Sequence, residues 1–431
     1  MEQGTGKTLT TLKIIGNYYK KGLINNVLIL CPKSVILVWK EELHNLLIPY
    51  EIVTDPLSPS SLQEKLTICL INYEALKKYK GKSNKLKKYW DFIVADESHR
   101  LKNPNSIQSK QSYFFARGSK YRIALSGTPK GNSDFDFFGQ YRFINEGIFG
   151  PKTSIFKKEY FDPCGWMGHD LKLKDNKKEK FYQLVNDHSF RITKNEALDL
   201  PPIMESKILI DLSPKNQKIY DKLKEEKLIK LKDEQITADL AITLVTKLQQ
   251  ICCGFIYGED HEVIQLDKLD KVNCLLDLLK DISGKIVIFT KYKQDIILLN
   301  QALKAYKKII YDGNSKEGEW KKFVDKEDIK ILITQIKKGG TGLNLQCAST
   351  VIFYNLSYSY IDISQAKDRV YRNGQLNKVM IYYLICKNTI EESIFKTIKG
   401  KQSGAKQILD DYRKTIGFDV IQPHTQVHHP K

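Results

Sequence analysis

The sequence lacks the features of a membrane protein or of a disulfide-rich secreted protein. Its 431 residues contain no apolar run long enough to cross a bilayer. The polar residues Glu2 and Gln3 follow Met1, which argues against a signal peptide. Eight cysteines are present but none forms a Cys-x-x-Cys pair, which indicates reduced thiols in a reducing compartment and disfavours a zinc site. We therefore expect an intracellular protein with no membrane partner.

Acidic residues are in the minority. Lysine and arginine number 69 against 50 aspartates and glutamates, which gives a formal net charge of +19. An excess of this size favours a polyanionic partner such as nucleic acid. A general bias toward lysine, with the charge spread over solvated faces, would produce the same balance. Charge alone leaves both explanations open.

Short apolar runs alternate with helical segments in the first part of the chain. A chain of this length fits two or three domains. Each apolar run is followed by polar or glycine-containing residues, which is typical of buried parallel strands joined by helices. The pattern predicts an α/β lobe over residues 1–134. The apolar runs begin at Asn26, Leu66, Phe92 and Tyr121.

The alternating pattern is interrupted and then returns. Residues 135–281 mix aromatics and lysines with long amphipathic stretches, which predicts a mostly helical insert and linker. Residues 282–400 again contain short apolar runs and predict a second α/β lobe. We expect residues 401–431 to form a C-terminal helix and a tail. The runs of the second lobe begin at Lys285, Lys330, Thr350 and Val379.

A glycine-rich loop, Gly4-Thr5-Gly6-Lys7-Thr8, stands near the start of the chain. Glycines let the backbone wrap around phosphate oxygens, the lysine places a charge on the β and γ phosphates, and the threonine hydroxyl can bind Mg²⁺. A turn before an ordinary helix is the competing interpretation. Such a loop normally follows a buried strand, but few residues precede it here. We therefore expect a fragment, a true start further upstream, or a sheet that another chain completes.

Two acids, Asp96 and Glu97, close the apolar run that begins at Phe92. Ligands bind at the carboxyl ends of strands in open α/β sheets. The first acid can hold Mg²⁺ through water, and the second can orient or deprotonate an attacking water. A solvated loop with two acids is the alternative. Lys7, upstream in the same lobe, favours the functional interpretation.

Two other loops of the first lobe carry small hydroxyl residues or lysine at strand ends. The segment Ser126-Gly127-Thr128-Pro129 can relay hydrogen bonds between a nucleotide and a second ligand. The segment Cys31-Pro32-Lys33-Ser34 suits a phosphate backbone. Either segment could equally be a simple turn.

The second lobe contains another glycine-rich loop and a pair of arginines. The loop Gly339–Leu345 lacks Gly-Lys-Thr, and it can offer amides and hydroxyls to nucleic-acid phosphates. Gln365, Arg369 and Arg372 are spaced by four and three residues and share one helical face. An arginine from a facing lobe can neutralise charge on a transferred phosphoryl group. A surface helix with ion pairs is the alternative.

Taken in order, these motifs resemble those of the Swi/Snf-type ATPases of helicase superfamily two. The similarity spans residues 1 to about 400 and includes the connecting segments Phe138–Phe143, Arg191–Lys194 and Leu248–Cys252. The resemblance implies two RecA-like lobes with a helical insert between them. It also implies ATP hydrolysis with Mg²⁺ and movement along double-stranded DNA.

The resemblance also assigns roles to residues. Asp96 would bind Mg²⁺ together with Thr8, and Glu97 would be the catalytic base. Lys7 would act on the phosphates, and Gln365, Arg369 and Arg372 would complete the catalytic set, with Arg372 the better candidate for the finger. The residues that would bind ATP are Gly4, Thr5, Gly6, Lys7, Thr8 and Gly342.

Contacts to DNA are implied at further positions. Because such contacts reach the backbone, we expect little sequence preference. Ser126 and Thr128 would couple the nucleotide to the DNA. The other candidates are Lys33, Lys102, Thr290, Gly340 and Thr341.

Other functions remain open. With no recognisable accessory module, a compact motor of a virus, phage or bacterium is expected, in the cytoplasm or at the nucleoid (the host cytoplasm if viral). A protein partner could supply missing or accessory parts. The alternatives are a strand-separating helicase acting on DNA or RNA, and a nucleic-acid-binding remnant without catalysis.

Overall fold

A computed structural model describes residues 1–2, 4–57, 65–80, 89–130, 133–164, 170–233, 238–258, 260, 262–316, 318–339 and 343–400. The chain forms two compact units. Unit 1 comprises residues 1–201 together with 341–346 and 368–376, and unit 2 comprises the other residues from 202 onward. Within the described ranges, no helix combines the length and the apolar character needed to span a bilayer.

The strands of unit 1 that form its main sheet are β1 (Asn26–Cys31), β2 (Tyr50–Val53), β3 (Leu66–Asn72), β4 (Phe92–Asp96) and β5 (Tyr121–Leu125). They pair in parallel, in the order β2-β3-β1-β4-β5. All four apolar runs predicted for this lobe form strands. The additional strand β2 is an edge strand whose residues are at most half-buried, so it carries little of the apolar signal that marks the others.

Both faces of this sheet are covered, as alternation along β1 requires. Val27 and Ile29 pack with Leu12 on one face, and Leu28 packs with Phe115 on the other. The helices and the hairpin of unit 1 are α1 (Lys7–Lys20), α2 (Ile36–Glu42), α3 (Ile107–Ala116), α4 (Phe137–Ile144), α5 (Glu146–Phe149), α6 (Thr153–Tyr160), β6 (Phe161–Cys164), β7 (Asp170–Leu173), α7 (Lys178–Asp187) and α8 (Lys194–Ala197).

An aromatic cluster forms a second core in unit 1. Phe138 stacks on Phe156 with ring centroids 4.8 Å apart, and Phe149 stacks on Phe181 at 5.1 Å. This core joins α4, α5, α6 and α7 and explains the aromatic composition noted after residue 134.

The strands of unit 2 are β8 (Ile203–Ile210), β9 (Phe255–Tyr257), β10 (Val263–Gln265), β11 (Ile286–Thr290), β12 (Lys308–Tyr311), β13 (Ile331–Gln335), β14 (Thr350–Phe353) and β15 (Val379–Cys386). Its main sheet is also parallel, with the order β12-β13-β11-β14-β15-β8. The predicted runs of the second lobe form β11, β13, β14 and β15.

Helices connect these strands. They are α9 (Pro214–Asp233), α10 (Ala238–Cys252), α11 (Asp270–Lys280), α12 (Lys293–Ala302), α13 (Lys321–Asp325), α14 (Ile336–Gly339), α15 (Tyr360–Val370) and α16 (Ile390–Lys399).

The segment predicted as a helical insert, residues 135–281, is divided between the units at Pro201–Pro202. It is largely helical, but β8 pairs along its whole length with β15 and so belongs to the second sheet. Most residues of β8 are exposed, as in an edge strand, which hides it from a search for buried runs. The predicted tail, residues 401–431, lies outside the described residues.

Candidate active site

The carboxyl ends of β1, β4 and β5 lie side by side because these strands are parallel neighbours. Lys33 follows β1, Asp96 ends β4, and Ser126 directly follows β5. Asp96 is in register with Leu125, the last residue of β5. The structure therefore brings the motifs of the first lobe to one edge of the sheet, where open parallel sheets bind their ligands.

The glycine-rich loop precedes α1 in a conformation that needs glycine. Gly4 and Gly6 have φ angles of +79° and +83°, in the left-handed region. A Cβ added at Gly4 would also lie 3.3 Å from Arg372 Cβ, a tighter contact than most Cβ atoms make. The helix begins at Lys7, which places its free amides at the loop and favours an anion there.

Lys7 folds back onto the backbone before the loop. Its Nζ donates to the carbonyl of Glu2 at 2.9 Å and lies 3.4 Å from the carbonyl of Met1. Burial lowers the pKa of Lys7, and the nearby charges of Glu97 and Asp96 oppose that shift. The ammonium is thus held within the electrostatic reach of both acids.

Asp96 is buried and held by three donors. The indole Nε1 of Trp39 donates to Oδ2 and the backbone amide of Glu97 donates to Oδ1, each at 2.9 Å. The hydroxyl of Tyr73 donates to the backbone carbonyl of Asp96 at 2.7 Å. Burial and the neighbouring Glu97 raise the pKa of Asp96 to about 6, although Trp39 and Lys7 act in the opposite direction.

Glu97 has a strained backbone and a stabilised charge. Its φ of +52° lies in the left-handed region, which a residue other than glycine seldom adopts and which is common at functional sites. Its Oε2 lies 3.2 Å from Nδ1 of His99, with an orientation outside that of a standard hydrogen bond. Burial alone would raise the pKa of Glu97. The combined effect of His99, Lys7 and Arg369 is larger and opposite, so the pKa lies below its usual value.

Two of the three predicted second-lobe residues belong to unit 1. Burial lowers the pKa of Arg369, against the opposing charges of Glu97, Asp368 and Asp96. Burial also lowers the pKa of Arg372, whose Nε is buried without a hydrogen-bond partner among the described residues. The third residue, Gln365, is buried in unit 2, and its predicted role stays a prediction.

Lys194 connects the phosphate loop to the arginine segment, a role that sequence reasoning missed. Its Nζ forms an ion pair with Asp368 and donates to the carbonyl of Tyr371 at 2.6 Å. Its backbone amide donates to the carboxylate of Glu2 at 2.9 Å. A capping box of Thr193 and Glu196 fixes the start of its helix. The only sequence signal was the family-like segment Arg191–Lys194.

Gln140 is a second missed residue. The hydroxyl of Ser98 donates to its Oε1 at 2.8 Å, and its Nε2 donates to the carbonyl of Pro129 at 2.6 Å. It therefore bridges the turn after Glu97 to the Ser126–Pro129 segment. In that segment the amide of Thr128 donates to Oγ of Ser126 at 3.1 Å. Oγ1 of Thr128 is buried and finds no partner among the described residues.

The residues predicted to contact DNA differ in how exposed they are. Lys33 is exposed and Lys102 is half-buried at the end of a short 3₁₀ turn. Thr290 is fully buried, and its Oγ1 has no hydrogen-bond partner within the described ranges. A phosphate could not reach that hydroxyl in this conformation, so we leave Thr290 out of the proposal below. The candidates Gly340, Thr341 and Gly342 lie outside the described residues.

A separate buried cluster in unit 2 has the residue types of a metal site. The candidate ligand atoms of Cys252, Cys386 and Glu391 lie within 4.8 Å of one another. Both carboxylate oxygens of Glu391 accept from Lys271 Nζ, at 2.6 and 2.7 Å, and one also accepts from the amide of Cys386. Because a buried ammonium already balances this carboxylate, we assign the cluster a structural role.

The sequence matches the SNF2-related domain over residues 1–255 and the helicase conserved C-terminal domain over residues 268–374. The chain belongs to the SNF2-related family, and the predicted family and α/β fold class are confirmed. Strands β1–β5 of the unit 1 sheet lie within the first matched region, and β11–β14 of the unit 2 sheet lie within the second.

Curated relatives agree with this assignment. The uncharacterized ATP-dependent helicase MG018 of Mycoplasma genitalium is 28% identical over 95% of this chain and 40% of its own length. The uncharacterized ATP-dependent helicase YqhH of Bacillus subtilis is 27% identical over 98% of this chain and 78% of its own length. The chain thus spans less than half the length of the Mycoplasma genitalium relative. Among solved structures, the SWI2/SNF2 ATPase core domain of Sulfolobus solfataricus is 26% identical over 97% of this chain and 89% of that one, with a TM-score of 0.42.

Proposed function

We propose that this chain is an ATP-dependent motor that moves along double-stranded DNA. The observation that carries the proposal is the convergence of Lys7, Asp96, Glu97 and Arg369 in unit 1. The pKa of each of these four residues is shifted by burial and by the charge of at least one other member of the group. Perturbed groups gathered at the edge of a parallel sheet are typical of a catalytic centre. Family membership makes ATP the expected substrate.

Phosphate binding falls to the glycine-rich loop and to Lys7. An ATP phosphate at the start of α1 would accept from the free amides of the helix. It would also replace the carbonyls of Met1 and Glu2 as the partner of the lysine ammonium. A phosphate would satisfy that ammonium as a charge, which the neutral carbonyls do not.

Asp96 and Thr8 fit Mg²⁺ by the chemistry of their donors. Carboxylate and hydroxyl oxygens are ligands that Mg²⁺ accepts. The raised pKa of Asp96 means that burial leaves its negative charge poorly balanced by the protein, a condition that favours a cation. When bound there with ATP, Mg²⁺ supplies charge neutralisation on the phosphate oxygens.

Glu97 is suited to act as the general base. The carboxylate is ionised at neutral pH and is available to orient the attacking water and accept its proton, although its lowered pKa makes it a weaker base than a free glutamate. Arg369 and Arg372 carry the positive charge that a transferred phosphoryl group requires. The unpartnered Nε of Arg372 leaves one donor free for such a group.

Double-stranded DNA is the proposed track. The net charge of +19 and the exposed Lys33 favour contact with a phosphate backbone. Lys102, Ser126 and Thr128 are the other described candidates. One relative, the chromatin structure-remodeling complex subunit snf21 of Schizosaccharomyces pombe, is 25% identical over 91% of this chain. An intracellular location follows from a DNA substrate, and we also propose a protein partner that contributes accessory parts.

The first test is ATP hydrolysis by the full chain with no nucleic acid, duplex DNA, single-stranded DNA or RNA. Strong stimulation by duplex DNA, together with displacement of a triplex-forming strand but no unwinding, is the expected result. Unwinding of a duplex would instead favour a strand-separating helicase. No hydrolysis by a folded sample would contradict the proposal and favour a binding protein.

A further inference from the structure

Trp39 packs in the core of unit 1 and also makes a hydrogen bond to a residue of the candidate active site. The residue lies in α2 and is fully buried. Its indole Nε1 donates to Oδ2 of Asp96 at 2.9 Å, across 57 positions of sequence. A buried indole usually finds a partner for its N–H, and here the partner is the carboxylate proposed to hold Mg²⁺.

The two carboxylate oxygens of Asp96 are held from different directions. Among the described residues we find one donor on each oxygen, the indole on Oδ2 and the backbone amide of Glu97 on Oδ1. The hydroxyl of Tyr73 fixes the backbone carbonyl of the same residue. One donor on each oxygen sets the plane of the carboxylate and leaves further lone pairs for a cation or its water.

The neutral character of these donors matters for the electrostatics. A lysine or arginine on Oδ2 would fix the carboxylate equally well, but it would also neutralise the charge that attracts a cation. An indole N–H fixes the orientation without adding a charge. The carboxylate therefore keeps its full attraction for a divalent ion while its rotation is restricted, which is the usual task of a group behind a metal ligand.

We propose that Trp39 is a positioning residue that orients Asp96 for Mg²⁺. The inference rests on the proposed function, because it takes Asp96 as the residue that holds the ion. Trp39 itself would touch neither the ion nor the nucleotide, and it acts only through Asp96. Loss of its N–H should leave the nucleotide site intact but weaken its response to Mg²⁺.

The chain offers a matched control. Trp90 is also a buried tryptophan of unit 1, yet its Nε1 has no hydrogen-bond partner among the described residues. Trp39→Phe and Trp90→Phe remove the same atoms from buried positions, but only the first removes a hydrogen bond to Asp96. The difference between the two variants isolates that bond from the effect of lost volume.

The experiment measures equilibrium binding of a fluorescent ADP analogue to the full-length chain across a range of Mg²⁺ concentrations. For Trp39→Phe we expect the Mg²⁺ concentration at half-effect to rise about 10-fold or more, as for other groups behind metal ligands. Affinity without Mg²⁺ should be unchanged, and Trp90→Phe should behave like the wild type. An unchanged Mg²⁺ response in Trp39→Phe, or an equal change in both variants, would overturn the proposal.

Folding is controlled by far-ultraviolet circular dichroism and thermal unfolding. If Trp39→Phe does not fold, benzothienylalanine at position 39 keeps the volume and shape of the indole and replaces only its N–H by sulfur. The same rise in Mg²⁺ requirement is expected. If the ADP affinity of the wild type does not change with Mg²⁺ concentration, the proposed function and this inference are both overturned. A normal wild type with an unaltered position-39 variant would overturn the inference alone.

Discussion

Glu97 shows how a single residue combines strain and charge at this site. Its left-handed backbone carries a conformational cost that the surrounding structure must offset, of order 1–3 kcal/mol for such positions. This residue directly follows Asp96, the last residue of β4. His99, Lys7 and Arg369 then keep the carboxylate ionised in spite of burial.

Replacement of Glu97 by Gln tests the role of the base. The amide has the same shape but cannot accept a proton, so DNA-stimulated turnover of ATP should fall by about 100- to 10,000-fold. DNA binding and ADP binding should remain close to those of the wild type. Steady-state ATPase assays and fluorescence binding measure these quantities.

The control for this variant is Glu74→Gln. Glu74 lies in the same unit, is half-exposed and pairs with Arg100 at 2.7 Å. The substitution makes the same chemical change away from the acid pair and should leave turnover unaltered. Wild-type turnover in Glu97→Gln would show that another group deprotonates the water.

Among individual residues, the sequence identifies those that belong to a motif but not those that orient the motif residues. Lys7, Asp96 and Glu97 stand next to strands or glycines that mark them in the sequence. Trp39 and Lys194 do not, because their roles depend on partners many residues away. A tryptophan in an apolar helix and a lysine in a basic chain look ordinary until the fold brings their partners close.

Helix α4 illustrates a constraint at the scale of elements. A Cβ added at Gly139 would lie 1.9 Å from the backbone carbonyl oxygen of Leu101, which ends the turn after the acid pair. The helix therefore approaches that turn as closely as a glycine allows. In the sequence, Gly139 stands out only as part of Phe138–Phe143, a segment that resembles the family. The sequence could not reveal the close contact because it lies between two backbones.

Gly139→Ala should destabilise the protein. The added methyl must displace a backbone carbonyl rather than a flexible side chain, and overpacking of this kind costs about 1–3 kcal/mol. Urea unfolding followed by circular dichroism measures the free energy. Gly16→Ala is the control, because Gly16 lies inside α1 with nothing within 4 Å of its added Cβ. Alanine there should stabilise the protein by up to about 1 kcal/mol. Equal effects of the two substitutions would contradict the close-contact explanation.

The strands show where sequence patterns are sufficient and where they fail. Buried runs such as Phe92–Ala95 carry a continuous apolar signal and are predictable. Edge strands β2 and β8 lack that signal because solvent covers much of their surface. The assignment of β8 to the second sheet also depends on its pairing with β15. Each residue of β8 pairs with a residue 176 positions later, as Ile203 does with Val379 and Ile210 with Cys386.

For the whole molecule, the excess of positive charge links composition to the proposed partner. If a chain with a net charge of +19 binds DNA as proposed, it should release counterions from the phosphate backbone. The dependence of affinity on salt therefore counts the phosphates that the protein contacts, whereas the dependence on sequence reports contacts with bases. A motor that tracks the backbone should show the first strongly and the second weakly.

Duplex affinity should accordingly fall linearly in a plot of log K against log salt concentration, with a slope of about −0.9 per phosphate contacted. If exposed Lys33 contacts a phosphate, Lys33→Ala should lower the magnitude of that slope by about 1, equally for duplexes of different sequence. Fluorescence anisotropy across a salt series measures both quantities. Lys280→Ala is the control, because Lys280 already pairs with Asp277 at 2.7 Å. A slope unchanged by Lys33→Ala would remove this lysine from the DNA contacts. A slope near zero in the wild type would contradict backbone binding altogether, because a protein that neutralises phosphates must release counterions.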